Sequence, residues 1–454
     1  MKPGRGNGRR GSAEFRSRSP EASEPAASLP VGNIVLTTIL IVLLGAGNLL
    51  LLLILWSVKR HRDPKLQIEC DTPLAELIPS LAGLTHGAVL EGNAVEIFEN
   101  GAFFDALFES IASATQSVHF ETFLWKEGEL GQRLIDALLE RCRAGVQVRV
   151  IVDADGGKKM GASAPRQLRE AGCGFVLYHR KRLRDIGRVN RRDHRKLLVL
   201  DGRVAFVCGH CIVDSWLGNA HDRTQVRDVG ARLRGPVVHA VQSAFSEHWI
   251  DATGELFVGD DVFPALEAAG KVAIHVARIK PEGATPAVKT LHHLAVCLAR
   301  ERLWIQNPYF LPDQEAILAL GQAAARGVDV RVMVPSAEAS DFPLVQHAAH
   351  RNFEPLLAAG IRIFEYSKTL LHQKLMTIDG VWCSIGSSNF DDRSFEINQE
   401  ITLGLLDADM AGQFEAIFLR DAADCVELEH AAWRRRGLWH RTKDNLLYLF
   451  NEQL

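Results

Sequence analysis

A surplus of charge of either sign is missing. The 454-residue chain sets 52 Lys+Arg against 55 Asp+Glu, a formal net charge of −3. Bulk electrostatics therefore give no footing for a nucleic-acid binder. Cysteine is scarce: eight over this length make no disulfide framework. Apart from Cys208 and Cys211, none are spaced like a metal knuckle. The sequence also lacks a cluster of carboxylates that would bind a divalent cation. Apolar residues are plentiful, at 47% beside 24% charged. That balance fits a folded chain with a real core, and the length suits two or three domains.

The first thirty residues hold one aromatic, Phe15, among Gly, Ser, Pro, Arg and Glu. Such a composition cannot bury enough apolar surface to offset its ordering entropy, so residues 1–30 read as a disordered tail. Ile34 to Trp56 follows without a single charge. As a helix of about 1.5 Å per residue it would reach ~34 Å, slightly more than a ~30 Å hydrocarbon core. A signal peptide would have a shorter apolar region and a small-residue cleavage site, whereas this one runs into "SVKRHRDPK". Residues 31–58 are expected to form a transmembrane helix. Lys59, Arg60, Arg62 and Lys65 crowd its C-terminal flank against Arg16 and Arg18 similarly near on the other side, which favours a cytoplasmic main domain, while six basic residues over the whole N-terminal tail weigh toward the opposite orientation.

The remainder contains a repeat. "LIDALLERCRAGVQVRVIVD" (Leu134–Asp153) parallels "ILALGQAAARGVDVRVMVPS" (Ile317–Ser336): an apolar-periodic helix, a Gly turn and a Val-rich strand. "LREAGCGFVLY" parallels "LLAAGIRIFEY", and "HRKLLVLDGRVAFVCG" (His194–Gly209) parallels "HQKLMTIDGVWCSIG" (His372–Gly386). Two α/β domains of similar fold account for this order most simply. Period two predicts His194 and Lys196 on one face of a strand, and likewise His372 and Lys374. Asp201-Gly202 and Asp379-Gly380 are hairpin dipeptides, so these two Asp are better suited to organising turns than to chemistry.

The shared pattern is His-x-Lys-x-x-x-x-Asp, which composition alone would produce ~0.2 times. Two copies at equivalent places of a repeat are far harder to obtain by accident. A neutral imidazole is a competent nucleophile toward phosphorus, and a second imidazolium can protonate a departing alkoxide. Two lysines supply compact positive charge for phosphate oxygens, in place of a metal ion. The pattern points to phosphodiester transfer through a covalent phosphohistidine, with no cofactor.

With this doubled motif the sequence resembles the phospholipase D superfamily, over roughly Gly92 to Glu427. "GSSNFDDRSFEINQE" (Gly386–Glu400), "NPYFLPD" and "ARGVDVRVMVP" look like bacterial cardiolipin synthases in particular. The resemblance implies a catalytic set of His194, Lys196 and Asp201 with His372, Lys374 and Asp379, where His194 is the nucleophile and His372 the acid and base. Lys196, Lys374, Ser387 and Asn389 would hold the phosphate. Asp228 and Glu400 match the carboxylates that orient the imidazoles, Asp228 beside His194 and Glu400 beside His372. Cys211 stands where Asn389 stands in the second copy, which puts phosphate contacts in the first half in doubt. The Cys-Gly-His-Cys around it ends a hairpin strand and is not expected to be a redox motif, which needs a helix and an activated thiolate.

The expected architecture is two similar phospholipase D-like α/β domains in pseudo-two-fold arrangement after one transmembrane helix. The expected boundaries are a linker at 59–90, domains at 91–260 and 261–430, and a basic, aromatic tail at 431–454. That tail could lie on a membrane surface or dock on the core. His292, His293, His347 and His350 sit in apolar helices, where core or surface histidines are the default. The expected activity condenses two phosphatidylglycerols to cardiolipin and glycerol at the bacterial inner (cell) membrane. The rivals are a hydrolytic phospholipase D and an inactive scaffold binding anionic lipid. No nucleic-acid partner is expected, and oligomeric state leaves no mark in the sequence.

Overall fold

The computed structural model describes residues 31–58, 72, 74–85, 87–179, 191–279 and 286–448. The expected disordered tail and the basic flank at Lys59–Lys65 lie outside these residues. Two compact units are distinguished, Met1–Pro64 and Lys65–Leu454. The described part of the first is one 28-residue helix, Val31–Val58. Its side chains are described over residues 35–51, and all of these are exposed. Among the described residues no helix is long and apolar enough to cross a membrane.

The second unit is built on a 15-stranded sheet whose order shows the repeat directly. From the middle outward, the first half runs Val89–Glu99, Val229–Arg234, Val204–Cys208, Leu197–Leu200, Ser117–Thr122, Gln147–Asp153 and Gly174–Tyr178. The second half runs Val272–Arg278, Ile401–Leu406, Trp382–Gly386, Leu375–Ile378, Arg302–Gln306, Asp329–Pro335 and Arg362–Tyr366, with Cys425–Glu427 at its edge. The halves meet where Val89–Glu99 pairs antiparallel with Val272–Arg278. The two expected domains thus share one continuous sheet.

Within each half the outer three repeat strands are parallel and the rest antiparallel. Parallel strands covered on both faces are mostly apolar, and the polar side chains they bury are partnered, as His119 is by Gln242 and Glu121 by His248. Ser117–Thr122 is buried at every position, as are the last four residues of both Gln147–Asp153 and Asp329–Pro335. The covering helices follow from periodicity. Glu129–Arg143 buries Leu130, Leu134, Ile135, Leu138 and Leu139 on one stripe. The chain then turns at Gly145 (φ +89°), as its counterpart does at Gly327 (φ +92°). That left-handed conformation is nearly strain-free only for glycine. Two further helices, Val237–Thr253 and Ala408–Ala422, close the opposite face over a core that includes Val241, Phe245, Ile274, Leu403 and Phe414.

The C-terminal tail docks rather than standing apart. Helix Leu438–Tyr448 packs on helix Pro343–Ala358, with Arg436 donating to Asp444 at 3.0 Å and Arg351 over the Tyr448 ring. Leu438 and Trp439 remain 80% and 77% exposed, so part of the apolar face still meets solvent.

Candidate active site

Each His-x-Lys segment is an extended approach to a strand rather than part of one, because the strands begin at Leu197 and Leu375. The expected shared strand face is corrected accordingly. The backbone reason lies in the opposite half. His194 N–H donates to the Gln399 carbonyl at 3.0 Å, and His372 N–H donates to the Arg227 carbonyl at 2.8 Å. Just before His372, Leu370–Leu371 pairs in parallel with Val226–Arg227. Each approach segment is therefore laid across the other half.

This placement decides which carboxylate meets which imidazole. Gln399 precedes Glu400, and Arg227 precedes Asp228. Glu400 holds His194 Nδ1 through both carboxylate oxygens, at 2.9 and 3.0 Å. Asp228 holds His372 Nδ1 at 2.9 Å. The expectation that Asp228 serves His194 and Glu400 serves His372 is reversed. The pairing crosses between halves, because the pseudo-two-fold sets the motifs face to face. Both carboxylates have 0% exposure, so each is committed to its partners.

The supports of the two carboxylates differ. Ser387 donates its hydroxyl to Glu400, and its carbonyl lies 3.1 Å from His194 Nδ1. In the first half Gly209 fills the equivalent slot, and a Cβ there would meet the Asp228 carboxylate at 2.7 Å. The donor to Asp228 is instead the Trp216 indole N–H, at 3.0 Å, and Val229 N–H adds a bond at 2.9 Å. Trp216 also presents its ring edge-to-face to His372, as Phe123 does to His194. Neither aromatic was marked by the repeat, since both lie in irregular segments without a counterpart motif. A buried cluster also supports the His194 segment. His248 bonds Glu121 at 2.7 Å beside Asp193, and its pKa rises to about 9 because those carboxylates outweigh burial and Arg195.

The lysines set the field. Lys196 Nζ donates to the His194 carbonyl at 2.6 Å, and Lys374 Nζ lies 3.1 and 3.2 Å from the two ring nitrogens of His372. Burial, with Lys374 acting in the same direction, lowers the pKa of His372 to about 4 against the pull of Asp228. Burial lowers that of His194 too, against the pull of Glu400. Both imidazoles are neutral at neutral pH, the state a nucleophile needs. Burial brings Lys374 down to about 8, with Asp228 opposing and Lys196 adding to the fall. Burial also works against the charge of Asp228, yet His210, His372 and Lys374 hold it well below the usual carboxylate range.

Asp201 and Asp379, expected with the catalytic set as members of the motif, lie at the turns instead. Asp201 accepts the backbone N–H groups of Thr115, Gln116 and Ser117, and Asp379 those of Arg300, Glu301 and Arg302. Their φ values of +52° and +53° fit a hairpin turn, and each clamps the start of the neighbouring strand. They touch neither imidazole.

Asn389 is buried, and its Oδ1 has no hydrogen-bond partner among the described residues. Cys211 in the matching slot is buried and lies in the field of both Lys196 and Lys374. Burial pushes the thiols of Cys208 and Cys211 up, and no helix begins there, so neither has the exposed thiolate of a redox site. His292 is a core histidine against Phe390 and Phe395, lowered to about 4 by burial.

Residues 107–249 and 296–422 match the family described as cardiolipin synthase, PLD-like domain. A cardiolipin synthase of Geobacillus sp. (strain WCH70) is 33% identical over 354 residues, covering 77% of this chain and 70% of that protein. One of Staphylococcus aureus (strain Mu50 / ATCC 700699) is 31% identical over 363 residues, covering 79% and 73%. Among solved structures, a phosphatidylserine synthase of Haemophilus influenzae Rd KW20 superposes with a TM-score of 0.63 at 14% identity, covering 83% of this chain and 97% of that one. At that identity the likeness shows the fold alone.

Proposed function

Since the chain belongs to the cardiolipin synthase family of PLD-like proteins, we propose that it is a phosphatidyltransferase that condenses two phosphatidylglycerols to cardiolipin and glycerol. One observation carries the reading: two neutral imidazoles, each held at Nδ1 by a buried carboxylate of the opposite half, with Lys196 Nζ at the His194 carbonyl and Lys374 Nζ beside the His372 ring. With Nδ1 tied down, each Nε2 is the nitrogen left for chemistry.

In the first step His194 Nε2 attacks phosphorus, and the N–P bond forms as the P–O bond to the glycerol headgroup breaks. His372 Nε2 gives the departing alkoxide its proton. The entering phosphate anion offsets the field of Lys374 and Lys196, and so raises His372 toward the protonated state this step requires. In the second step a hydroxyl of another phosphatidylglycerol passes its proton to His372 and attacks phosphorus. The N–P bond breaks and His194 is restored. Lys196 and Lys374 fit the role of holding the phosphate oxygens, with the buried Asn389 of the same motif, whereas the Ser387 hydroxyl is given to Glu400 and acts by fixing that carboxylate.

We place the enzyme at the bacterial cell membrane. The support for a single-pass anchor is the sequence itself, the charge-free stretch Ile34–Trp56. The basic flank after it favours a cytoplasmic catalytic unit. We set the boundary between the repeats at 260/261, between helix Val237–Thr253 and strand Val272–Arg278. A net charge of −3 argues against a nucleic-acid substrate.

Purified protein incubated with phosphatidylglycerol vesicles, followed by lipid mass spectrometry, tests the reading. Cardiolipin with released glycerol is the expected result. Phosphatidic acid alone would replace it with a hydrolase, and unchanged lipid with a scaffold that binds anionic lipid.

A further inference from the structure

Away from both motifs, two histidines one helical turn apart face a buried aspartate of another helix. His347 and His350 lie on helix Pro343–Ala358, and Asp444 lies on Leu438–Tyr448. Asp444 Oδ1 stands 3.5 Å from His347 Nδ1 and 3.9 Å from His350 Nδ1. One potential ligand atom from each of the three residues falls within 4.8 Å of the others. For Zn²⁺ bonds of about 2.0–2.1 Å in tetrahedral geometry, the edge between ligand atoms is ~3.3–3.4 Å. The two edges to Asp444 exceed this by about 0.1–0.6 Å, and the edge between the histidines, bounded by 4.8 Å, closes as their side chains turn toward the ion.

The far side of His350 supplies a second, independent sign. Its Nε2 is buried without a hydrogen-bond partner among the described residues, yet Glu365 Oε1 lies 3.4 Å away. A histidine bound to metal through one nitrogen usually gives its other N–H to a carboxylate. Here Nδ1 faces the aspartate and Nε2 faces Glu365.

We propose that His347, His350 and Asp444 form a site for a divalent transition metal of the zinc class. It would clamp the C-terminal helix onto the body and leave a fourth coordination position. His350 and Asp444 line a cavity of about 850 Å³ with Arg351, Arg436 and Tyr448, so that position opens to a polar space able to hold water or a small anion. Two cations modulate the site. Arg436 binds the other oxygen of Asp444 at 3.0 Å, leaving Oδ1 for the metal. The exposed Lys443 donates to His347 Nε2 at 2.9 Å, a contact that metal binding at Nδ1 displaces, because Nε2 must then carry the proton.

The test uses full-length protein stripped with chelator and titrated with Zn²⁺ alone, then with Co²⁺ alone. One Zn²⁺ per chain should bind with sub-micromolar affinity, and Co²⁺ should give the visible absorption of a low-coordinate N/O site. Lys443→Ala should tighten Zn²⁺ binding roughly threefold or more by removing the competing ammonium. Glu365→Gln should weaken it about tenfold or more. His347→Gln/Asp444→Asn should abolish it. The proposal is overturned if the stripped wild-type protein binds only weakly and without stoichiometry, as the chain's 17 histidines would allow. It is equally overturned if Co²⁺ gives no such band, or if Lys443→Ala and Glu365→Gln both leave the affinity unchanged. The last two readouts do not depend on the double variant folding.

Discussion

At the scale of single residues the chemistry depends on protonation states that burial and neighbours impose. In the proposed mechanism Lys374 is charged when it serves the phosphate, and burial brings its pKa down to about 8. It is protonated below that value and neutral above it. We therefore predict that kcat/KM, measured from pH 6 to 10, falls as pH rises through about 8. Lys374→Arg should shift that limb upward or remove it, since a guanidinium does not titrate there. The crossed pairing gives a second expectation. Glu400 raises the pKa of His194, so Glu400→Gln should lower the titration of His194 further and leave His372 unchanged, as read by nitrogen chemical shifts of labelled imidazole. Asp228→Asn should do the converse, and each variant should lose about 10²-fold or more in kcat. If Glu400→Gln moved His372 instead, the crossed geometry would be wrong. The histidines and lysines themselves were legible in the sequence because the motif is local and doubled. Which carboxylate serves which histidine was not legible, because that contact is made between halves. The indole of Trp216 was equally hidden: Gly209 leaves room for Asp228, and nothing in the local pattern says which donor will reach it.

At the scale of elements, the two motif aspartates separate turn-making from chemistry. Each accepts a fan of backbone N–H groups from the chain entering the neighbouring strand. Removing the carboxylate strands those donors. Asp201→Ala and Asp379→Ala are each predicted to cost about 1–3 kcal/mol of stability in denaturant unfolding, discounted toward the low end by partial exposure. The same variants, while folded, should keep kcat within about threefold of wild type. A thousandfold loss of kcat with unchanged stability would return these residues to the reacting centre. Strand and helix positions were well signalled by sequence. Parallel strands buried on both faces read as Val and Ile runs, and their helices carry a clean apolar stripe. Period two misplaced the His-x-Lys segments inside strands. An extended chain laid across another domain has the same alternation as a strand in a ladder, and only the tertiary partner distinguishes them.

At the scale of the whole molecule, one active site is assembled from two halves of a single sheet. The joint at Val89–Glu99 and Val272–Arg278 brings the halves together with the same strand order on either side. Neither half pairs its motif imidazole with a carboxylate of its own, so the proposed chemistry belongs to the joined sheet. The repeat was visible in sequence, but not that it closes into one sheet, because pairing of first strand to first strand leaves no local trace. The central claim is a covalent phosphatidyl-histidine formed in that shared site, and trapping tests it most directly. Enzyme turning over labelled phosphatidylglycerol is quenched with denaturant, and the acid-labile phosphoryl group is mapped by peptide mass spectrometry. The account predicts label on the peptide carrying His194, at a level that rises when the acceptor lipid is limiting. Label on the peptide carrying His372 would exchange the two roles, and no label on either peptide during active turnover would contradict the two-step mechanism.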